Sequence, residues 1–215
     1  MKNTARNILL IFSLWFVTSF NGHAQVLIVG DSVFCQQHWS SLLGISQVET
    51  SILTSPDAPF AMPDATVGKV LIVPPLQWFQ LNADPEQISN HMESIARQML
   101  QQYPSVRLYL STALPSNNPN INRKQQEMVL LLLKDYAKHN KQVRFVNLYT
   151  PLTEKLNISV SPYPTSKKTR AEELAKKLRS PIPYREANQD LIVGEQLTDN
   201  GLQLVARILQ KILKK

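Results

Sequence analysis

Ser32 lies in the stretch VLIVGDSVF, where an apolar run starting at Val26 breaks off at Gly30-Asp31-Ser32. A serine hydroxyl at the end of such a run can attack an ester carbonyl. It does so when a nearby base, above all an imidazole, takes its proton and hydrogen-bond donors receive the charge that develops on the carbonyl oxygen. Beyond residue 24 the chain holds three histidines. His38 follows six residues after Ser32 on the helix that Ser32 opens, well over a turn away. His91 sits within PEQISNHMESIARQM, on a polar helix surface, and His139 ends a helix beside Lys138, where a cation complements the dipole. All three read as surface or helix-end residues, and Asp31 reads as a turn residue. Ser32 is therefore a candidate nucleophile with no evident base.

Alternating elements must position that hydroxyl. Apolar, β-branched runs predict strands at Val26–Gly30, Val48–Leu53, Lys69–Val73, Val106–Ser111 and Val143–Leu148. Amphipathic stretches predict helices over Val33–Leu43, Pro85–Gln102, Asn122–His139 and Lys167–Leu178, and a last one over Thr198–Leu213. Pro85 suits a first helical position, and Pro104 closes that helix after Tyr103. Strands separated by helices in this order imply a parallel sheet covered on both faces, and continuous apolar runs such as KVLIV and VRLYL fit strands buried on both sides. Ligands of such sheets gather at the carboxyl ends of the strands. Ser32, the loop from Pro74 to Trp78 and the stretch TALPSNNPN all follow strands, so one rim collects three loops. Trp78 on that rim reads either as a platform for a sugar ring or apolar group, or as a partly buried anchor. Trp39 reads as core, as do VLLLL from Val129 and the stripe Leu202, Val205, Ile208, Leu209 and Ile212 of the last helix.

Composition narrows the class. Lys2 and Arg6, the apolar stretch Ile8–Phe20 and the small residues Gly22 and Ala24 read as a secretory signal peptide spanning residues 1–24, cut before Gln25. The expectation is one domain over residues 25–215, periplasmic or secreted, with no transmembrane segment in the mature chain. Cys35 is the only cysteine, so no intramolecular disulfide can form. Basic residues outnumber acidic ones by 23 to 16, and much of the excess lies in SKKTRAEELAKKLRS and at Lys211, Lys214 and Lys215. Such a run is first of all a solvated helix face, and an exported chain with no recognisable binding module is not expected to bind nucleic acid. The scattered histidines and single cysteine offer no metal-ligand spacing, and no glycine-rich phosphate loop is present, so no cofactor is expected.

The GDS turn after a first strand, matched near the C-terminus by QLTDNGLQLVARIL, resembles the SGNH or GDSL hydrolase family. The resemblance implies a flavodoxin-like three-layer α/β/α fold, a doubly wound parallel sheet of about five strands, with Ser32 as nucleophile and Gly30 and Asp31 in its turn. In the family the serine is served by a histidine oriented by an aspartate three residues earlier, in a pattern like D-x-x-H-L-T-x-x-G. Laying Leu197–Gly201 on that pattern puts Gln196 at the histidine and Val193 at the aspartate. Glutamine is neutral at working pH and is no general base. The asparagine of the family's oxyanion block falls nearest to Gln77 or Leu76. The second-block glycine has no match between Ile45 and Val67, and Pro74 and Pro75 remove backbone donors.

These residues point to an exported SGNH hydrolase-like protein without the family's His/Asp block, acting as a binding or accessory factor in the cell envelope. Gly30, Asp31, Gln77, Trp78 and Gln196 would border the binding rim, and the partner would be an acylated glycan, a lipid or an envelope protein. The alternative is an active serine esterase or lipase-like hydrolase that uses Ser32 with a non-standard base.

Overall fold

All five residues of the first strand, β1 (Val26–Gly30), are buried, as a central strand of a doubly covered sheet requires. A computed structural model describes residues 26–55, 58–62, 67–80, 84–155, 170–177 and 185–214. The expected signal peptide and parts of the basic segment after Ser166 lie outside the described residues. β1 is followed by two short helices, α1 (Ser32–Cys35) and α2 (Trp39–Leu43), then by β2 (Val48–Ile52) and β3 (Lys69–Ile72). Helix α3 (Pro85–Gln102), β4 (Arg107–Ser111), α4 (Arg123–His139) and β5 (Val143–Val146) come next. These strands form one parallel sheet in the order β2-β1-β3-β4-β5.

Strand residues alternate between two cores. Leu27, Val29, Val70, Ile72, Leu108 and Leu110 pack against α3 and α4. Val26, Ile28, Leu71, Val73 and Tyr109 face Phe34 of α1, Trp39 of α2 and the last helix, α6 (Asp199–Leu213). The result is three layers, helices on each face of a sheet, built from the period-two side-chain alternation of the strands. Between β5 and α6 lie β6 (Thr153–Lys155), α5 (Arg170–Lys177), β7 (Arg185–Ala187), β8 (Ile192–Val193) and β9 (Gln196–Leu197), of which β6 pairs with β7 and β8 with β9. The sequence reading contained neither of these two-stranded pairings.

Helix α3 has the expected bounds, with the Asp84 side chain capping it by accepting from Glu86 N, and α4 begins one residue inside its expected start because Asn122 is its cap. The expected helix Val33–Leu43 is a correction: it is two helices, broken over Gln36–His38. The break is a packing consequence. The Trp39 indole donates to Phe34 O at 2.7 Å and its ring lies 4.7 Å from that of Phe34, an arrangement that buries Trp39 to 1 % exposure. Residues five apart on a continuous helix would diverge by more than a third of a turn, so burying both rings together requires the chain to bend. α5, in the basic segment, is tied down by Arg170 to Asp135 of α4, by Arg170 N to Glu86 of α3 and by Lys124 to Glu172.

Candidate functional site

The strand order reverses direction between β1 and β3, and the loops leaving those two strands form a crevice at their carboxyl ends. Gly30 ends β1, buried in the sheet, with its carbonyl accepting from Leu53 N. Asp31 then takes an extended conformation and caps α1. One carboxylate oxygen accepts from Phe34 N at 2.7 Å, and the other accepts from Leu76 N at 3.3 Å in the loop after β3. The turn residue of the sequence is thus a clasp across the crevice, and it takes up a backbone donor of the loop after β3.

Ser32 is the first residue of α1 and is exposed. Among the described residues its hydroxyl has no hydrogen-bond partner. All three histidines beyond residue 25 are described, and none hydrogen-bonds Ser32. His38 is exposed at the start of α2. The half-buried His91 meets the Trp78 ring edge-on, at 5.2 Å and 70°. His139 is exposed at the end of α4, with Nδ1 2.9 Å from Asp135 O and 3.5 Å from its carboxylate.

The loop after β3 forms a 3-10 turn, Leu76–Phe79. Gln77 is exposed on it, whereas Trp78 is only 5 % exposed and its indole reaches Thr54 O at 3.5 Å. Trp78 is therefore an anchor of the loop. Of the two roles its position allows, this packing among core residues is the anchor's.

The C-terminal block completes the rim. β8 and β9 form a tight hairpin in which Val193 faces Gln196, with Gly194 at φ +62° at the turn, a left-handed conformation that favours glycine. Gln196 is exposed, and Val193 is 66 % exposed. The β4–α4 loop grips the hairpin tip: Ser116 Oγ and Asn117 N each donate to Gly194 O at 3.0 Å, Asn117 Nδ2 donates to Ile192 O, and Asn118 Nδ2 donates to the Glu195 carboxylate. Beneath this tip is a shallow open depression lined by Asp31, Val33, Leu76, Leu114, Glu195 and Leu197, among others. Glu195 is a rim residue that sequence reasoning missed, whereas Asn117 and Asn118 belong to the stretch TALPSNNPN that it placed on the rim without singling them out. The available signal was Gly194-Glu195 between Ile192-Val193 and Gln196-Leu197, a two-residue turn with a leading glycine, but nothing in it indicated which loop would hold the tip.

After the hairpin, the Thr198 side chain accepts from Gly201 N at 3.1 Å and donates to Asp190 O at 2.7 Å, which caps α6 and ties it to the chain before β8. Cys35, buried behind the turn, has its thiol pushed up to about 11, first by burial and then by the nearby Asp31 charge. Among the described residues no three His, Cys, Asp or Glu side chains gather as a metal site.

No family model and no curated relative matches the sequence. Solved structures do match over most of the chain. A candidate platelet activating factor from Streptococcus pneumoniae is 16 % identical at a TM-score of 0.62, over 89 % of this chain and 84 % of that one. A candidate lipolytic protein of the G-D-S-L family from Desulfitobacterium hafniense is 13 % identical at 0.55, over 87 % and 98 %. The fold is SGNH hydrolase-like. A family two carbohydrate esterase from Clostridium thermocellum, 8 % identical at a TM-score of 0.57, shares it over 88 % of this chain and 63 % of its own. Within the SGNH hydrolase-like frame, Ser32 stands at the carboxyl end of β1, and the two positions that the sequence pattern aligns with an aspartate and a histidine are the facing pair Val193 and Gln196.

Proposed function

We propose that the protein is an exported SGNH hydrolase-like factor of the cell envelope, in which the rim around Ser32 binds an acylated glycan, a lipid or an envelope protein without hydrolysing it. One observation carries this reading: the Ser32 hydroxyl stands exposed with no hydrogen-bond partner among the described residues, so none of the three histidines beyond residue 25 is bonded to it. The carboxylates of the rim do not substitute for an imidazole. Both oxygens of Asp31 already accept backbone amides, and Glu195 is held by Asn118. A serine hydrolase that loses a triad member keeps only about 10³- to 10⁴-fold over water, from donors and binding alone. Val33, Leu76, Leu114 and Leu197 give the depression beside the turn a small apolar surface.

The purified protein, assayed on acetyl and short acyl nitrophenyl esters, is expected to show turnover indistinguishable from that of Ser32→Ala, and a fluorophosphonate probe is expected to leave Ser32 unlabelled. Turnover that disappears with Ser32→Ala would establish the second reading, an active serine esterase. That reading draws on the exposure of Ser32 at the topological switch point and on its intact capping turn.

A further inference from the structure

β2 closes one edge of the five-stranded sheet, with β1 on one side and no strand on the other among the described residues. Val26 N donates to Gln47 O at 3.2 Å and Leu53 N to Gly30 O at 2.7 Å, so the odd-numbered residues from 47 to 53 turn their backbone groups toward β1. Successive residues of a strand direct those groups to opposite edges, so Val48, Thr50 and Ile52 present theirs outward. Glu49, Thr50 and Ile52 are exposed, and Ile52, at 51 %, is one of the large apolar side chains left in solvent. Proteins usually blunt such an edge with charged side chains, above all lysine, or with proline or a bulge, and here Glu49 is the one charge. The run Gln47–Leu53 contains no lysine, arginine or proline, and its pairing with β1 is in register from Val48 to Ile52 without interruption. The opposite edge strand, β5, carries an exposed Arg144.

We propose that β2 pairs antiparallel with β2 of a second copy of this chain, about a two-fold axis through Thr50, joining the two sheets into one. The occupant follows from the register. Centring on Thr50 is the symmetric arrangement that engages all three outward residues: Thr50 faces the second copy's Thr50, and Val48 faces the second copy's Ile52. Each such pair exchanges two backbone hydrogen bonds. The exposed Ile52 side chain gains an apolar partner on its own face of the sheet. Glu49 faces the second copy's Ser51, so no like charges are opposed, and a threonine pair at the axis is a favourable cross-strand combination. Centring on Glu49 would set two carboxylates face to face and use backbone groups already bonded to β1. The chain carries a net charge of +7, so its copies repel at low ionic strength, and pairing through neutral backbone groups strengthens as salt screens that repulsion.

Sedimentation velocity on the purified protein, across a concentration series at low and high salt, is expected to show a monomer–dimer equilibrium that shifts toward dimer with salt. Thr50→Lys opposes two ammonium groups at the axis and is expected to raise the dissociation constant by about tenfold or more, with no change in the thermal unfolding of the monomer because the Thr50 backbone groups do not bond β1. Thr50→Cys is expected to form an inter-chain disulfide under mild oxidation, since facing residues of a hydrogen-bonded pair lie about 5.5 Å apart between Cα atoms, within disulfide reach. Glu49→Cys is expected not to, and the buried Cys35 stays out of the exchange. A monomer at every concentration and salt would overturn the proposal. So would a dimer indifferent to Thr50→Lys, cross-linking by Glu49→Cys as ready as by Thr50→Cys, or a different protein held on the edge with no self-association.

Discussion

The Asp31 carboxylate joins two elements, taking Phe34 N with one oxygen and Leu76 N with the other, while the neighbouring Ser32 side chain has no partner among the described residues. Substitutions at these adjacent positions are therefore expected to differ sharply. Asp31→Ala removes a helix cap and leaves the Leu76 amide without its acceptor, and is expected to lower stability by about 1–3 kcal/mol in chemical denaturation. Ser32→Ala is expected to stay within about 0.5 kcal/mol of the native protein, as an exposed side chain without a bonding partner does. Equal losses at both positions would mean that the clasp is not what holds the crevice together. Cys35 supplies a pH dependence. Burial and the Asp31 charge hold its thiol protonated in the folded chain up to about 11, against an ordinary value of 9.0. The unfolded chain releases that proton first, so the contribution to stability is complete below about pH 9 and declines as pH rises toward about 11. Denaturation followed between these pH values is expected to show a downward slope that Cys35→Ala flattens, and iodoacetamide at pH 8 is expected to modify Cys35 only when the protein is unfolded.

At the scale of elements, the C-terminal block retains the parts that place a helix. Leu191 O lies so close to Gly201 that a Cβ there would approach it to 2.0 Å, and Thr198 caps the same turn. Gly201→Ala is expected to cost on the order of 3 kcal/mol and to lower the melting temperature by several degrees, because backbone rather than a flexible side chain must move. The motif LTDNG is thus accounted for by the entry of α6 into the second core, independently of any reaction. The hairpin before it and the break between α1 and α2 were illegible in the sequence for different reasons. β8 and β9 span two residues each, too short for period-two alternation to register. The apolar spacing from Val33 to Leu43 reads as one helix, and only the burial of Trp39 against Phe34 makes the bend favourable. Trp78 was ambiguous because a tryptophan after a strand serves equally as platform or anchor until its neighbours are known. Thr54 and His91 make it an anchor.

For the whole molecule, the alternation of apolar runs with amphipathic stretches was sufficient for the layer architecture. A continuous apolar strand has no stable place except between two covered faces, and such strands joined by helices run parallel. The strands β1, β2, β3, β4 and β5 all fall within the expected runs, and α3 matches its expected bounds. Local pattern likewise located Ser32 after the first strand and showed that no histidine follows His139. Those properties depend on residue type and on neighbours along the chain, so the amino-acid sequence by itself determined them. What surrounds the serine depended on contacts between residues far apart in the chain. The Asp31–Leu76 clasp spans 45 residues, and the grip of Asn118 on Glu195 spans 77. Periodicity carries no information about which loop meets which across a rim, because side chains there are chosen by distance and direction in three dimensions. Only the tertiary structure decided that Glu195 enters the depression, that Trp78 packs into the first core, and that no imidazole beyond residue 25 hydrogen-bonds Ser32.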